Sequence, residues 1–89
     1  MKSGIKKGLA YRRIAGEMFV VDSARAELHE LNGPAALIWA GLAAGSDEAA
    51  IVSALVAEFE VTRAQAAADL KDFLKELAAA GLTEKPGRD

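Results

Sequence analysis

The sequence contains no cysteine, two prolines, one histidine and one tryptophan in 89 residues. Without cysteine there is no disulfide staple, no thiol nucleophile and no thiolate metal site, and the composition suits a reducing, cytoplasmic setting. No stretch approaches the roughly 18 apolar residues of a membrane span. The first nine residues are basic, but no apolar run follows them, so they do not read as a secretory signal. No glycine-rich dinucleotide fingerprint, phosphate-binding loop or HExxH pair is present. The net charge of −2 speaks against general binding to nucleic acid.

What is present is the length and apolar content of one small domain. Hydrophobic residues make up 52% of the chain, but twenty of them are alanine, so the core must rest on a short set of larger side chains. Charged residues are 27%, inside the globular range. They are unevenly spread: residues 1–25 carry +4 and residues 26–89 carry −6.

The pattern along the chain predicts three strands and then three helices. Residues 1–8 (MKSGIKKG) have no period and read as a flexible basic arm. LAYRRI at 9–14 is a short strand, and Ala15-Gly16 turns the chain. EMFVVD at 17–22 is apolar on both faces, as a central strand would be. Asp22-Ser23 reads as a second turn in which both side chains bond local backbone. RAELHEL at 25–31 alternates: Ala26, Leu28 and Glu30 share one face, and Arg25, Glu27, His29 and Leu31 the other. Its charges suit an edge strand. Asn32 is the expected cap of the first helix, with Pro34 in its first turn and Gly45 at its end. Ser46 is the expected cap of the second, whose stripe is Ile51, Val52, Leu55, Val56 and Phe59. Thr62 and Gln65 form a T-x-x-Q capping box for the third, with stripe Ala66, Leu70, Phe73, Leu74 and Leu77. Gly81 ends that helix, and Leu82 folds back over its last turn. The expected domain is residues 9–82, followed by a flexible tail at 83–89. The fold class is α+β: a three-stranded antiparallel sheet followed by three helices, winged helix-turn-helix-like, with the strands first.

From Phe19 onward the chain resembles the PqqD-like family, the peptide recognition elements of ribosomal-peptide biosynthesis. The matching pieces are FVVD at 19–22, LN at 31–32, AALIW at 35–39, Gly45, IVSAL at 51–55, FEV at 59–61 and DLKDFLKELAAAGL at 69–82. The resemblance implies a non-catalytic module without cofactor or metal. Such a module holds the leader segment of a precursor peptide and presents it to a maturation enzyme such as a radical enzyme, cyclase or protease. It further implies that the leader adds as a strand beside the third strand, against the third helix. An edge strand is suited to this, because its unpaired N–H and C=O groups are a ready template. The resemblance maps the edge to Arg25, Ala26, Glu27, Leu28, His29, Glu30 and Leu31, and the groove wall to Leu70, Lys71, Leu74 and Lys75. Lys71 and Lys75 are four apart and share a helix face, where they can meet acidic leader residues or pair locally with Asp72 and Glu76.

Other functions have less support. Glu27 and His29 can touch on one strand face, but a lone histidine with scattered carboxylates lacks metal-ligand spacing. Asp69 reads as a helix-surface acid. A DNA-reading third helix would carry Asp69, Asp72 and Glu76 toward phosphates, which repel them. Homodimerisation through the third strand would occupy the edge that should take the leader. Trp39 belongs to the expected core.

Overall fold

The computed structural model describes residues 4–83. Strands β1 (Ala10–Ile14), β2 (Glu17–Asp22) and β3 (Glu27–Leu31) are followed by helices α1 (Pro34–Ala43), α2 (Glu48–Phe59) and α3 (Arg63–Ala79). The sheet is antiparallel in the order β1-β2-β3, so β2 is central and β3 is an edge. Ala15 and Gly16, with φ of 53° and 84°, form the two-residue turn between β1 and β2. Positive φ at both central positions gives a turn whose twist matches that of the strands.

Period-two alternation decides which side of the sheet the helices cover. Met18, Val20 and Asp22 of β2 are buried on that side. Met18 and Val20 meet Ile38, Trp39 and Leu42 of α1, Ile51, Val52 and Leu55 of α2, and Ala66, Leu70 and Leu77 of α3 in one core. Trp39 is fully buried and contacts the Tyr11 ring edge-on, with centroids 5.5 Å apart. At Gly41 a Cβ would lie 2.7 Å from Cγ1 of Ile51, so this mid-helix glycine lets α1 and α2 approach closely. No helix among the described residues is long and apolar enough to cross a membrane.

The helix ends depart from the sequence reading in detail. Gly33, at φ 55°, caps α1 in place of Asn32, whose carbonyl instead accepts from the Ala35 N–H at 3.1 Å. Asp47, not Ser46, caps α2 and accepts from the Ala50 N–H at 2.8 Å. Thr62 caps α3 through the Gln65 N–H as expected, but the Gln65 amide donates to Asp69 and does not return to Thr62. Leu82 does fold back: its N–H donates to the Leu77 carbonyl while Gly81 donates to Ala78. This closes α3 in a Schellman motif.

The expected boundary at residue 9 moves. Ile5 bridges Thr83, and the Lys6 N–H donates to the Leu82 carbonyl at 3.0 Å, so this part of the expected arm lies within the fold. Residues 1–3 and 84–89 of the expected arm and tail lie outside the described residues. Asp22 was expected to bond its own turn. It is buried on the helix side of the sheet, and the Lys6 ammonium donates to it at 2.8 Å. The hydrogen bond from Lys6 is the main cause that holds the Asp22 carboxyl below the usual aspartate range; burial opposes it and Arg25 adds smaller help.

A depressed folded-state pKa gives stability that is complete above the unfolded value, about 3.9, and is lost as pH falls toward the folded one. Glu17 acts in the opposite sense, because the Glu30 carboxyl beside it raises its pKa, and that contribution is lost as pH rises. Wild type is therefore expected to exceed Asp22→Asn in stability at neutral pH and to lose that lead below about pH 4. Urea denaturation of both proteins from pH 7 to pH 2.5 checks this; a constant difference would exclude the ion pair as the source.

Candidate functional site

The turn at Ala15-Gly16 fixes which backbone groups the sheet leaves open. A two-residue hairpin closes on a hydrogen-bonded pair, here Ile14 and Glu17. Alternation then directs the N–H and C=O groups of Glu17, Phe19 and Val21 toward β1, and those of Met18, Val20 and Asp22 toward β3. Their β3 partners are Leu31, His29 and Glu27. The N–H and C=O of Leu28 and Glu30 are thus the ones that point off the free edge of the sheet.

The side chains of β3 alternate as the sequence indicated. Leu28 and Glu30 are exposed on the face away from the helices, and Glu27, His29 and Leu31 are half-buried on the helix side. His29 Nε2 lies 3.3 Å from Glu27 Oε1. Two expected edge residues are not in the strand. Arg25 belongs to a 3-10 turn (Ser23–Arg25), and Ala26 follows it in the left-handed region at φ 55°. The reason is geometric: a buried Asp22 must be followed by a tight wrap of the chain before β3 can pair.

Arg25 is occupied elsewhere. Its Nη1 donates to the Ala80 carbonyl at 3.0 Å, and Nη2 lies 3.9 Å from Glu27. A cation at the C-terminal end of α3 meets unpaired carbonyls and the negative end of the helix dipole. Arg25 thereby ties the start of β3 to the end of α3. No sequence signal marks this contact, because 55 residues separate the partners. The burial of Asp22, read from the sequence as a turn residue, did have a signal, since Asp22 shares parity with Met18 and Val20.

Gly81 stands against the Arg25 guanidinium, which a Cβ there would displace, and its φ is 78°. Gly81→Ala is expected to cost about 1–2 kcal/mol for the left-handed conformation alone. The cost should be smaller in an Arg25→Ala background than in wild type, because the displaced contact is then already absent. Equilibrium unfolding of the four proteins measures the difference; equal costs would remove the contact from the account.

Of the four α3 residues expected to form a groove wall, Leu70 is 1% exposed and belongs to the core. Leu74 is half-buried at the core margin. Lys71 and Lys75 are exposed and make no hydrogen bond or ion pair with the described residues, so the local pairing with Asp72 and Glu76 is not formed. The closest helix packing of α3 is along α2.

These features define a small α+β domain with an open sheet edge whose start is tied to the end of the last helix. The family model for coenzyme PQQ synthesis protein D (PqqD) matches residues 17–82, and the chain belongs to that family. Two solved structures are similar throughout. One is TbiB1 in complex with the TbiA(beta) leader peptide: TM-score 0.87 and 30% identity over 99% of this chain and 100% of that one. The other is a lasso peptide synthetase B1 complexed with the leader peptide: TM-score 0.82 and 26% identity over 91% and 95% of the two chains. No curated protein matches the sequence.

Proposed function

We propose that this chain captures the leader segment of a ribosomally made precursor peptide and presents it to a maturation enzyme, without catalysis of its own. The observation that carries the reading is the free β3 edge, in a chain similar to two solved structures that are leader-peptide complexes. The leader pairs with the outward N–H and C=O groups of Leu28 and Glu30, which supply affinity whatever the leader's sequence. Its alternate side chains enter between β3 and α3, against Glu27, His29, Leu31 and Leu74, and these supply selectivity. Arg25 closes one end of that space. Because one relative is a lasso peptide synthetase B1, a leader of that class is the favoured ligand and the cytoplasm the setting.

An amide-resolved NMR titration with the leader peptide encoded beside the gene tests this. Shifts concentrated at residues 27–31 and along α3 are expected. No shifts at large peptide excess would reject leader capture.

Lys71 and Lys75 give the groove its rim charge in this reading. Reversing both (Lys71→Glu with Lys75→Glu) should weaken an acidic leader about 3- to 10-fold at low salt and leave folding intact, as exposed charges contribute little individually. Fluorescence anisotropy at two salt concentrations measures it. Unchanged affinity at low salt would remove these lysines from the site.

A further inference from the structure

The helices cover one face of the sheet, and the other is open. Among the described residues, three of the four most exposed large apolar side chains stand on that open face: Ile14 at 50%, Val21 at 39% and Leu28 at 66% exposure. The strand register arranges the face in rows. One row is Ala10, Val21, Leu28, and the next is Arg12, Phe19, Glu30. The second row therefore reads cation, aromatic, anion across the sheet. Phe19 separates the two charges by two strand spacings, about 10 Å. Arg12 makes no ion pair with any described residue. Glu30 faces a second carboxylate, Glu17, whose protonated form is favoured by that contact.

We propose that this face is a self-association surface on which a second copy of the chain packs sheet to sheet. A two-fold axis lying between the sheets and running along β2 reverses the order of strands in the partner. Such an axis sets Arg12 of each copy over Glu30 of the other, with Phe19 over Phe19. The neighbouring row sets Ala10 over Leu28, small against large, and Val21 over Val21, while the row on the other side sets Glu17 over Glu17, a carboxyl whose protonated form Glu30 already favours. An isologous interface needs this kind of self-complementarity. The axis perpendicular to the strands would instead set Arg12 over Arg12. Aligned sheets pack about 10 Å apart, so these side chains reach one another. The edge of β3 stays free in the pair, and each copy keeps its own leader site. Three strands of five or six residues make a small interface, so the association is weak.

Sedimentation velocity of the full chain between about 10 µM and 1 mM tests this, since small interfaces associate in that range. The expected result is a reversible rise toward the dimer value. Arg12→Glu or Glu30→Arg alone should weaken the dimer at least tenfold, because like charges then face across the axis. The double variant Arg12→Glu with Glu30→Arg should restore it, which a folding defect would not do. Leader affinity of Arg12→Glu should equal wild type, because β1 is remote from the β3 edge. A monomer at every concentration overturns the proposal, and so does a double variant that stays monomeric. A dimer abolished by Leu28→Pro but indifferent to both charge reversals also overturns it, in favour of edge-to-edge pairing.

Discussion

Leu28→Pro is expected to weaken leader capture about 10- to 100-fold while the domain stays folded. The effect follows from the hydrogen-bond parity of the sheet. Leu28 directs its N–H off the free edge, so proline removes a donor the leader needs and none that β2 uses. A net backbone hydrogen bond is worth about 0.5–1.5 kcal/mol, and a tenfold change in affinity is about 1.4 kcal/mol. The proline ring also projects toward the incoming strand and disturbs the neighbouring bond. Leu28→Ala keeps the donor, and its side chain lies on the face away from the helices. It should therefore bind nearly as wild type. His29→Pro is the informative contrast: its N–H points to Val20 of the central strand, so that variant should lose the ladder and unfold. Anisotropy with a labelled leader, alongside circular dichroism, distinguishes the three. A folded Leu28→Pro protein with wild-type affinity would exclude strand addition at β3. Ala26 is unsuitable for the same experiment, because its φ of 55° is closed to proline.

The other large effect is on stability. Trp39→Ala should cost about 3–5 kcal/mol, the usual range for truncating a buried aromatic. Domains of this size hold about 5–15 kcal/mol in total, so the variant should be largely or marginally unfolded at 37 °C. Trp39 is fully buried, carries the Tyr11 contact, and belongs to a core that relies on few large side chains. Its indole N–H has no hydrogen-bond partner among the described residues. Trp39→Phe keeps an aromatic ring and removes that donor, whose burial costs about 1–3 kcal/mol. It should therefore be much milder than Trp39→Ala. Denaturant unfolding monitored by circular dichroism compares them; equal losses would show that the ring's volume contributes little to the core.

The helical stripes were plain in the sequence because large apolar residues recur every three or four positions among alanines. Ile51, Val52 and Leu55, and then Ala66, Leu70 and Leu77, are buried as their spacing requires. The edge character of β3 was equally legible from its alternating charges. The caps were less so. Asn32-Gly33 and Ser46-Asp47 each offer two adjacent capping residues, and the choice between them depends on the angle at which the chain enters the helix. The limits of β3 were misread by two residues, since RAELHEL alternates from Arg25 although only Glu27 onward pairs with β2.

The order of elements and the sheet's open edge were thus set by local pattern: alternation at two, recurrence at 3.6, and glycine where the chain must turn. Long-range electrostatic pairing was not. That Lys6 meets Asp22 and that Arg25 closes the end of α3 were decided by tertiary structure alone. Periodicity shows which face of an element is apolar. It is silent on which charge, tens of residues away, will be folded against it, because that depends on how the elements dock.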